Sequence, residues 1–578
     1  MVVGKPGEGA MRILGVWDGH ESGAALVEDK RIIYAANEER FTRRKMEIKF
    51  PYNSIKAALD YAKIGPEDIE HVAYTTTELT KTLERIMPYS KEYYYRFRRR
   101  KMLKPRFENF RHNLKYAMTR IGVVPGSGSI SNYYISKGLK HMGFKDFKLH
   151  VVEHHVAHAA TAAFTSGFNS SLVITVDGLG DGKSSSVSTF RKGKLERHSF
   201  NNVRNSIGIF YEQVTNILGM RELEDEGKIM AMADYSYPFE YNENKLKDFF
   251  TVSGTHIVAK YGPLKQFEML QRISWQTPRE QFAYMAQQVL ENVLKEFTQN
   301  AIDEHGVGDV AFAGGTFSNV KANMVIRKLD GLKHWYVFPH MGDGGMALGG
   351  ALYTNYQLNG ISGYDFNAYL GGEYTEAETE AELKKDPDIV AHSEGLKESA
   401  THAAELIDKG NYLFWFQGRM EYGPRALGNR SILAPSGDEK VKDKLNLYVK
   451  KREWFQPFAP SMLESECGRL LEYDSKGAPK YMTMAYETKK DMASRLSAVV
   501  HVDGTARPQA VGDENSAYKD LISHVKKLSG YGVVLNTSFN IHGEPIVMSP
   551  YDAVKTMKAT KTKYMFINGL FVENKKGI

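Results

Sequence analysis

The chain has 578 residues, 42% of them hydrophobic and 25% charged, with a formal net charge of +7. That length exceeds what one core serves and the composition is that of a folded protein, so two or more domains are expected and a disordered or low-complexity chain is excluded. No apolar run of about eighteen residues occurs, no charged-then-apolar leader opens the chain, and the single cysteine, Cys467, excludes an internal disulfide or a Cys-based zinc site; a soluble cytoplasmic protein, monomer or homodimer, is expected.

Residues 1–10 are Gly-rich and read as a flexible extension. RILGVWD, AALVED and RIIYAAN then give strands joined by tight turns, SIKAALDYAKI after Pro51 gives a helix, and HVAYTTT a further strand. An α/β pattern is set by residue 80. An insertion at about 85–135 contains KEYYYRFRRRKMLKPRFENFRHNLK, residues 91–115, whose mixture of Arg, Lys, Tyr and Phe suits either a solvated helix or contacts to nucleic acid or sugars. VVEHHVAHAATAAF reads as a helix, and SSLVITVDGLGDGKSSSVSTF reopens a strand hairpin at 170–190, which suggests an internal duplication. A helix near Gln281–His305, the strand DVAFAGG and the turn and helix of GDGGMALGG complete a first domain over 11–358. The turn-rich, acidic stretch 359–390 reads as a linker and 391–578 as a second α/β domain.

His154 and His158 stand four apart on the expected helix, so both imidazoles share a face and can hold a metal ion or a phosphate; His155 points elsewhere. Carboxylates must complete a metal site. Asp177 and Asp343 sit where apolar runs meet glycines, a position that suits a ligand and equally a turn-forming Asx side chain. The glycine turns at Asp18–His20, Asp177–Gly182, Gly314–Gly315 and Gly342–Gly350 offer backbone donors to phosphates and resemble those of the actin-like ATPases, with Gly178, Gly180, Asp181, Gly314, Gly315, Gly342 and Gly344 as the nucleotide-side residues. His20 is either a proton acceptor or a turn-stabilising histidine. The most specific motif is GRMEYGPRALGNRSILA at 418–434: Arg419, Arg425 and Arg430 suit a small planar anion with phosphate, since guanidinium forks bind such oxygens two at a time. Lys450, Arg452, Arg507, Asn536, Ser538 and Asn540 add polar and basic groups beside strand-like runs.

In their order EERFTRRK (38–45), HHVAHAA (154–160), EGKIMAMA (226–233), GRMEYGPRALGNRSILA, HVDGTARPQ and NTSFNIHGEPI, these motifs resemble the O-carbamoyltransferase family of nodulation-factor and tobramycin type, over residue 12 to the C-terminus. The resemblance implies an N-terminal duplicated actin-like domain, similar to the universal tRNA threonylcarbamoyl-transferring protein, and a C-terminal YrdC-like α/β domain. It implies that carbamoyl phosphate and ATP (with Mg2+) form carbamoyl adenylate in the second domain, and that the first transfers the carbamoyl group to a hydroxyl of a small molecule or glycan. His154, His158, Asp177 and Asp343 match the family's metal site, described as iron. Lys45 and Lys228 match its basic positions and His20 its candidate base; Arg425 and Lys450 are expected to take part in the chemistry. Gln456 stands where the family is expected to carry Arg, and Phe317 replaces a small residue beside Asn319 on the adenosine side. A tRNA-modifying or nucleic-acid-binding protein and an actin-like kinase are the competing readings; the first makes nucleic acid a partner, the second makes ADP.

Overall fold

The computed structural model describes residues 10–93 and 121–577. Most of the basic stretch 91–115, Arg98–Arg100 included, lies outside them. The chain forms two compact units: Met1–Glu38 with Met46–Phe366, and Glu39–Lys45 with Asn367–Ile578. The division thus falls at Phe366 rather than near 358, and a short segment close to the N-terminus joins the second unit.

The first unit holds two five-stranded sheets. One is built from β1 (Arg12–Trp17), β2 (Gly23–Glu28), β3 (Arg31–Asn37), β4 (His71–Thr75) and β5 (Lys148–Val152), in the order β3-β2-β1-β4-β5. The other is built from β6 (Ser170–Gly180), β7 (Lys183–Arg191), β8 (Lys194–Asn202), β11 (Asp309–Ala313) and β12 (His334–Val337), in the order β8-β7-β6-β11-β12; β9 (Phe250–Ser253) and β10 (His256–Ala259) form a separate hairpin. In both sheets the first three strands run antiparallel and the last two run parallel to the first. The internal duplication suggested by the two hairpin openings is therefore a repeat of topology. The inner strands are covered on both faces, which is why β2 and β4 read as continuous apolar or small-residue runs; each fully buried Val, Leu or Ile contributes about 1.5–3 kcal/mol.

Two helices of the first unit fix the spacing of its buried histidines and glycines. His154–Thr165 is capped by Glu153, whose side chain accepts from the Val156 N–H at 3.0 Å, and its alanines allow nearly every residue to be buried. Met346–Asn359 packs against it so closely that a Cβ on Gly349 would lie 2.3 Å from the Ala157 carbonyl oxygen. Gly349→Val would force these helices apart, and with them the side chains at their N-terminal ends.

The second unit is built on a mixed sheet of β13 (Ile389–Ser393), β14 (Leu413–Phe416), β15 (Arg430–Ala434), β16 (Ala459–Leu463), β19 (Gln509–Val511), β20 (Val533–Ser538), β21 (Tyr564–Ile567) and β22 (Leu570–Asn574), in the order β13-β22-β21-β14-β15-β20-β16-β19. β17 (Tyr486–Glu487) and β18 (Thr505–Ala506) pair separately. Helices Leu396–Asp408 and Ser516–Ser529 cover the sheet through Ala403, Trp415, Tyr518, Leu521 and Phe566. The expected linker 359–390 is not one throughout: Glu376–Leu383 is a helix with a Thr375/Glu378 capping box, and Asn568 donates to the Tyr374 carbonyl at 3.0 Å. The glutamates of that acidic stretch from Glu376 to Glu382 belong to a folded helix. Among the described residues no helix is long and apolar enough to cross a membrane.

Candidate functional site

In the first unit the fold brings His154, His158, Asp177 and Asp343 together, with one ligand atom from each within 4.8 Å of the others. The helix supplies the imidazoles, β6 supplies Asp177, and Asp343 opens the turn before Met346–Asn359. His154 Nε2 lies 3.2 Å from Asp177 Oδ2 and 3.5 Å from Asp343 Oδ1, and His158 Nε2 lies 3.6 Å from the same Asp343 oxygen. Asp177 is oriented by the Gly315 N–H at 2.8 Å. Burial opposes a charge on His154, but Asp343 and Asp177 outweigh it and hold its pKa up to about 10. Burial likewise opposes charge on both aspartates, and the imidazoles overcome it, so both carboxyls titrate below the usual range. The site is thus two carboxylates in need of a cation. His158 Nε2 is buried without a hydrogen-bond partner and faces them. Two imidazole nitrogens with two carboxylates suit a divalent transition ion, so the residues fit the expected metal. His155 turns away to Thr175 Oγ1 at 2.8 Å, and burial with His154 close by drives it to about 3, a neutral structural group.

His20 stands at the edge of this cluster, its Nε2 3.2 Å from Asp343 Oδ2 and its side chain 30% exposed. Burial lowers its pKa against the pull of Asp343, which keeps the ring neutral and able to accept a proton. Trp17 fixes the turn by donating its indole N–H to the His20 carbonyl at 2.8 Å.

The expected nucleotide residues are more occupied than the sequence suggests. Gly180 is where it is because His154 lies against it: a Cβ there would meet the ring at 2.1 Å. Asp181 accepts the His154 N–H at 2.8 Å, and its own N–H donates to Glu78 at 3.0 Å. The Gly315 N–H is taken by Asp177 and the Gly344 N–H by Glu21 at 3.3 Å. The Gly178 carbonyl accepts from Ser206 at 2.6 Å and the Gly342 carbonyl from Gly345 at 3.0 Å. Gly314, at φ +103, lets its strand end approach Val176. Lys228 pairs with Asp225 at 3.1 Å, and Asn319 caps helix Val320–Arg327 while exchanging hydrogen bonds with Gln287. Phe317 is fully buried against Phe312, a core contact rather than a base-stacking one.

In the second unit the arginines of GRMEYGPRALGNR divide by role. Arg430 is fully buried and donates through Nη1 to the carbonyls of Gln417, Gly418 and Asn429 at 2.7, 3.1 and 2.9 Å, with its guanidinium 3.5 Å from the Phe416 ring centre. Arg419 donates to the carbonyls of Gly371 and Leu370 at 3.2 and 2.6 Å. Both were expected to bind an anion; in the fold both also brace backbone by donating to carbonyl oxygens. Arg425 is different. Its buried Nε, like that of Arg430, has no hydrogen-bond partner, but among the described residues no carbonyl takes its other nitrogens, and burial pulls its pKa down with no carboxylate opposing. Arg507 is pushed well below the usual range by burial and then by Arg425 and Arg452. Lys450 is pushed down by burial, Arg452 and Lys45, and its Nζ is held by neutral oxygens: Ser538 O at 2.7 Å, Asn540 O at 3.0 Å and Asn540 Oδ1 at 2.6 Å. Arg452 lies over Phe458 and donates to Asn446 at 2.7 Å and to Gln456 at 3.3 Å. Asn536 braces the same region, its Nδ2 donating to the Ala426 carbonyl at 3.1 Å. Lys45, expected in the first domain, belongs to this cationic group.

Sequence reasoning missed Glu421, whose buried Oε1 accepts the N–H groups of Leu427, Asn429 and Arg430 at 2.8, 2.8 and 3.1 Å and so shapes the loop that carries Arg425. A lone acid among arginines and glycines was the available signal. It also missed Arg40 and Arg43, whose partners lie hundreds of residues away.

One unit thus carries a cluster of imidazoles and carboxylates that could hold a cation, and the other a cluster of cations. Residues 12–352 match the family described as Carbamoyltransferase N-terminus, and 404–574 the one described as Carbamoyltransferase C-terminus. An uncharacterized protein of Methanocaldococcus jannaschii is 37% identical over 476 residues, 77% of each chain. Nodulation protein NolNO of Sinorhizobium fredii is 29% identical over 575 residues, 96% of this chain and 79% of its own. Among solved structures, full-length HypF in its phosphate- and nucleotide-bound form shows a loose likeness, with 13% identity and a TM-score of 0.35 over 61% of this chain and 56% of that one. The chain belongs to the carbamoyltransferase family and is a carbamoyltransferase.

Proposed function

We propose that the protein is an ATP-dependent O-carbamoyltransferase with an actin-like first unit and a YrdC-like second unit. What supports the reading is a group of cations, buried Lys450 and half-buried Arg425, Arg452 and Arg507, in which Arg452 lowers the pKa of Lys450, Arg425 and Arg452 lower that of Arg507, and no carboxylate opposes burial at Arg425. Charges of one sign crowded into a partly desolvated site are costly unless a ligand of the other sign completes them. Carbamoyl phosphate and the triphosphate of ATP are such ligands. In the proposed first step water cleaves carbamoyl phosphate to carbamate and phosphate. A carbamate oxygen then attacks the α-phosphorus of ATP and expels pyrophosphate, leaving carbamoyl adenylate. Arg425 and Arg507 neutralise the charge that gathers on the phosphoryl oxygens, and Lys450 is pre-positioned by Ser538 and Asn540.

In the first unit the hydroxyl of a small molecule or glycan attacks the carbamoyl carbon, AMP leaves, and neutral His20 takes the hydroxyl proton on its unprotonated ring nitrogen. His154, His158, Asp177 and Asp343 would hold the metal, ferrous iron by family resemblance, which supplies positive charge for phosphate oxygens. The test is pyrophosphate release from the full chain with ATP and Mg2+, with and without carbamoyl phosphate and without acceptor. Release that requires carbamoyl phosphate and falls about 100-fold or more in Arg425→Ala is expected. ADP in place of AMP and pyrophosphate would instead mark a kinase.

A further inference from the structure

The chain passes from the first unit to the second after Glu38 and returns at Met46; between these points Glu39–Lys45 packs with the second unit. Two of its arginines hold backbone on the loops that carry the cationic pocket. Arg40 is 4% exposed and donates from Nη2 to the Gly423 carbonyl at 2.8 Å, two residues before Arg425. Arg43 donates from Nη1 to the Ile546 carbonyl and from Nη2 to the Pro545 carbonyl, each at 2.7 Å, with its Nε 3.5 Å from Asp552. Pro545 follows Glu544, whose carbonyl accepts from Asn540 Nδ2 at 2.6 Å, and Asn540 in turn holds Lys450. One short strap therefore grips both rims of the pocket: the Arg425 rim through Arg40 and the Lys450 rim through Arg43. Its backbone is held against its own preference, since Arg43 sits at φ +58, a left-handed conformation that persists for such a residue only where the surroundings over-determine it.

We propose that Arg40 and Arg43 are positioning residues for the carbamoyl phosphate site, Arg40 fixing the loop that aims Arg425 and Arg43 fixing the loop that holds Lys450 through Asn540. The proposal rests on the assignment of this pocket to carbamoyl phosphate. It carries an asymmetry that a general stabilising role lacks. Arg40 makes one bond to one of these carbonyls, which a lysine ammonium can reproduce. Arg43 spans two successive carbonyls with two nitrogens of a planar fork, which a lysine cannot.

The experiment measures carbamoyl-phosphate-dependent pyrophosphate release by the full chain and by Arg40→Met, Arg40→Lys, Arg43→Met and Arg43→Lys, with Tm recorded for each. Both Met variants are expected to raise KM for carbamoyl phosphate about tenfold, with kcat changed less, because a carbonyl that loses its donor lets its loop drift. Arg40→Lys is expected to restore KM to within about threefold of the parent, whereas Arg43→Lys stays with Arg43→Met. A lowered Tm and kcat with KM unmoved in both Met variants overturns the proposal. Should the Met variants fail to fold, the Lys pair decides, and equal KM values for Arg40→Lys and Arg43→Lys overturn it. Absence of carbamoyl-phosphate-dependent release by the parent chain refutes the pocket assignment itself, and the positioning role with it; release by the parent with unmoved KM refutes the positioning role alone.

Discussion

The two clusters are electrostatic opposites. In the first unit two carboxylates face two imidazoles, and the metal-free protein supplies the missing positive charge with a proton on His154, whose pKa rises to about 10. In the second unit Lys450 is held by neutral oxygens and Arg452 lies over a ring with Glu453 as the one carboxylate opposing burial, and the pKa values of Lys450, Arg452 and Arg507 fall. The first cluster can offset its charge by taking up a proton; in the second, the arginines cannot offset theirs by losing one.

The comparison breaks most readily at Asp343. Asp343→Asn removes the carboxylate that faces both imidazoles and His20, and is expected to weaken Fe2+ or Mn2+ binding by at least the ~10–100-fold that loss of an outer-shell partner costs; equilibrium dialysis reads it. In the parent chain the same measurement has a pH signature. A His154 pKa of about 10 against 6.5 means that the folded metal-free protein keeps a proton the unfolded chain releases in that window. Its stabilising contribution is fully present below 6.5 and lost as pH rises through about 10. Metal must displace this proton, so metal affinity is expected to climb, by up to about tenfold per pH unit, between those limits. A flat profile would mean that His154 enters the site already neutral.

The second unit predicts a smaller effect of the opposite kind. Arg507→Leu removes an unpaired cation beside Arg425 and Arg452, so the ligand-free protein is expected to gain about 1 kcal/mol in chemical denaturation, while stabilisation by added pyrophosphate shrinks. A loss of stability in both conditions would show that Arg507 is an ordinary packing residue. The smallest effect is expected at Gln456, whose Oε1 accepts from Arg452 at 3.3 Å and whose amide donates to Glu453. Gln456→Arg adds a cation but removes that acceptor, so KM for carbamoyl phosphate is expected to fall by less than about fivefold. No change would mean that neutrality at 456 does not limit affinity.

Much of this was legible in the sequence because it is local. The i, i+4 histidines, the repeated strand hairpins and the capped helices follow from short-range periodicity, and the glycine turns sit where strands end. What escaped was direction and distance. Arg419, Arg425 and Arg430 look alike in a string, yet only the fold decides which guanidinium meets carbonyls and which meets none. Asn319 and Gly315 have the right chemistry for a nucleotide, but the cap on Val320–Arg327 and the carboxylate of Asp177 engage them first. The partners of Arg40 and Arg43 lie so far along the chain that no spacing rule could join them, and the boundary at Phe366 depends on packing that a turn-rich composition hides.

The strap also constrains how such a chain could arise or be rebuilt. A fragment starting at Asn367 would keep the sheet and the pocket arginines but lack the donors for the carbonyls of Gly423, Pro545 and Ile546. No single crossover exchanges the complete second unit between relatives, because a few of its residues are encoded hundreds of codons upstream; a hybrid would have to bring Glu39–Lys45 from the same parent as the pocket it serves.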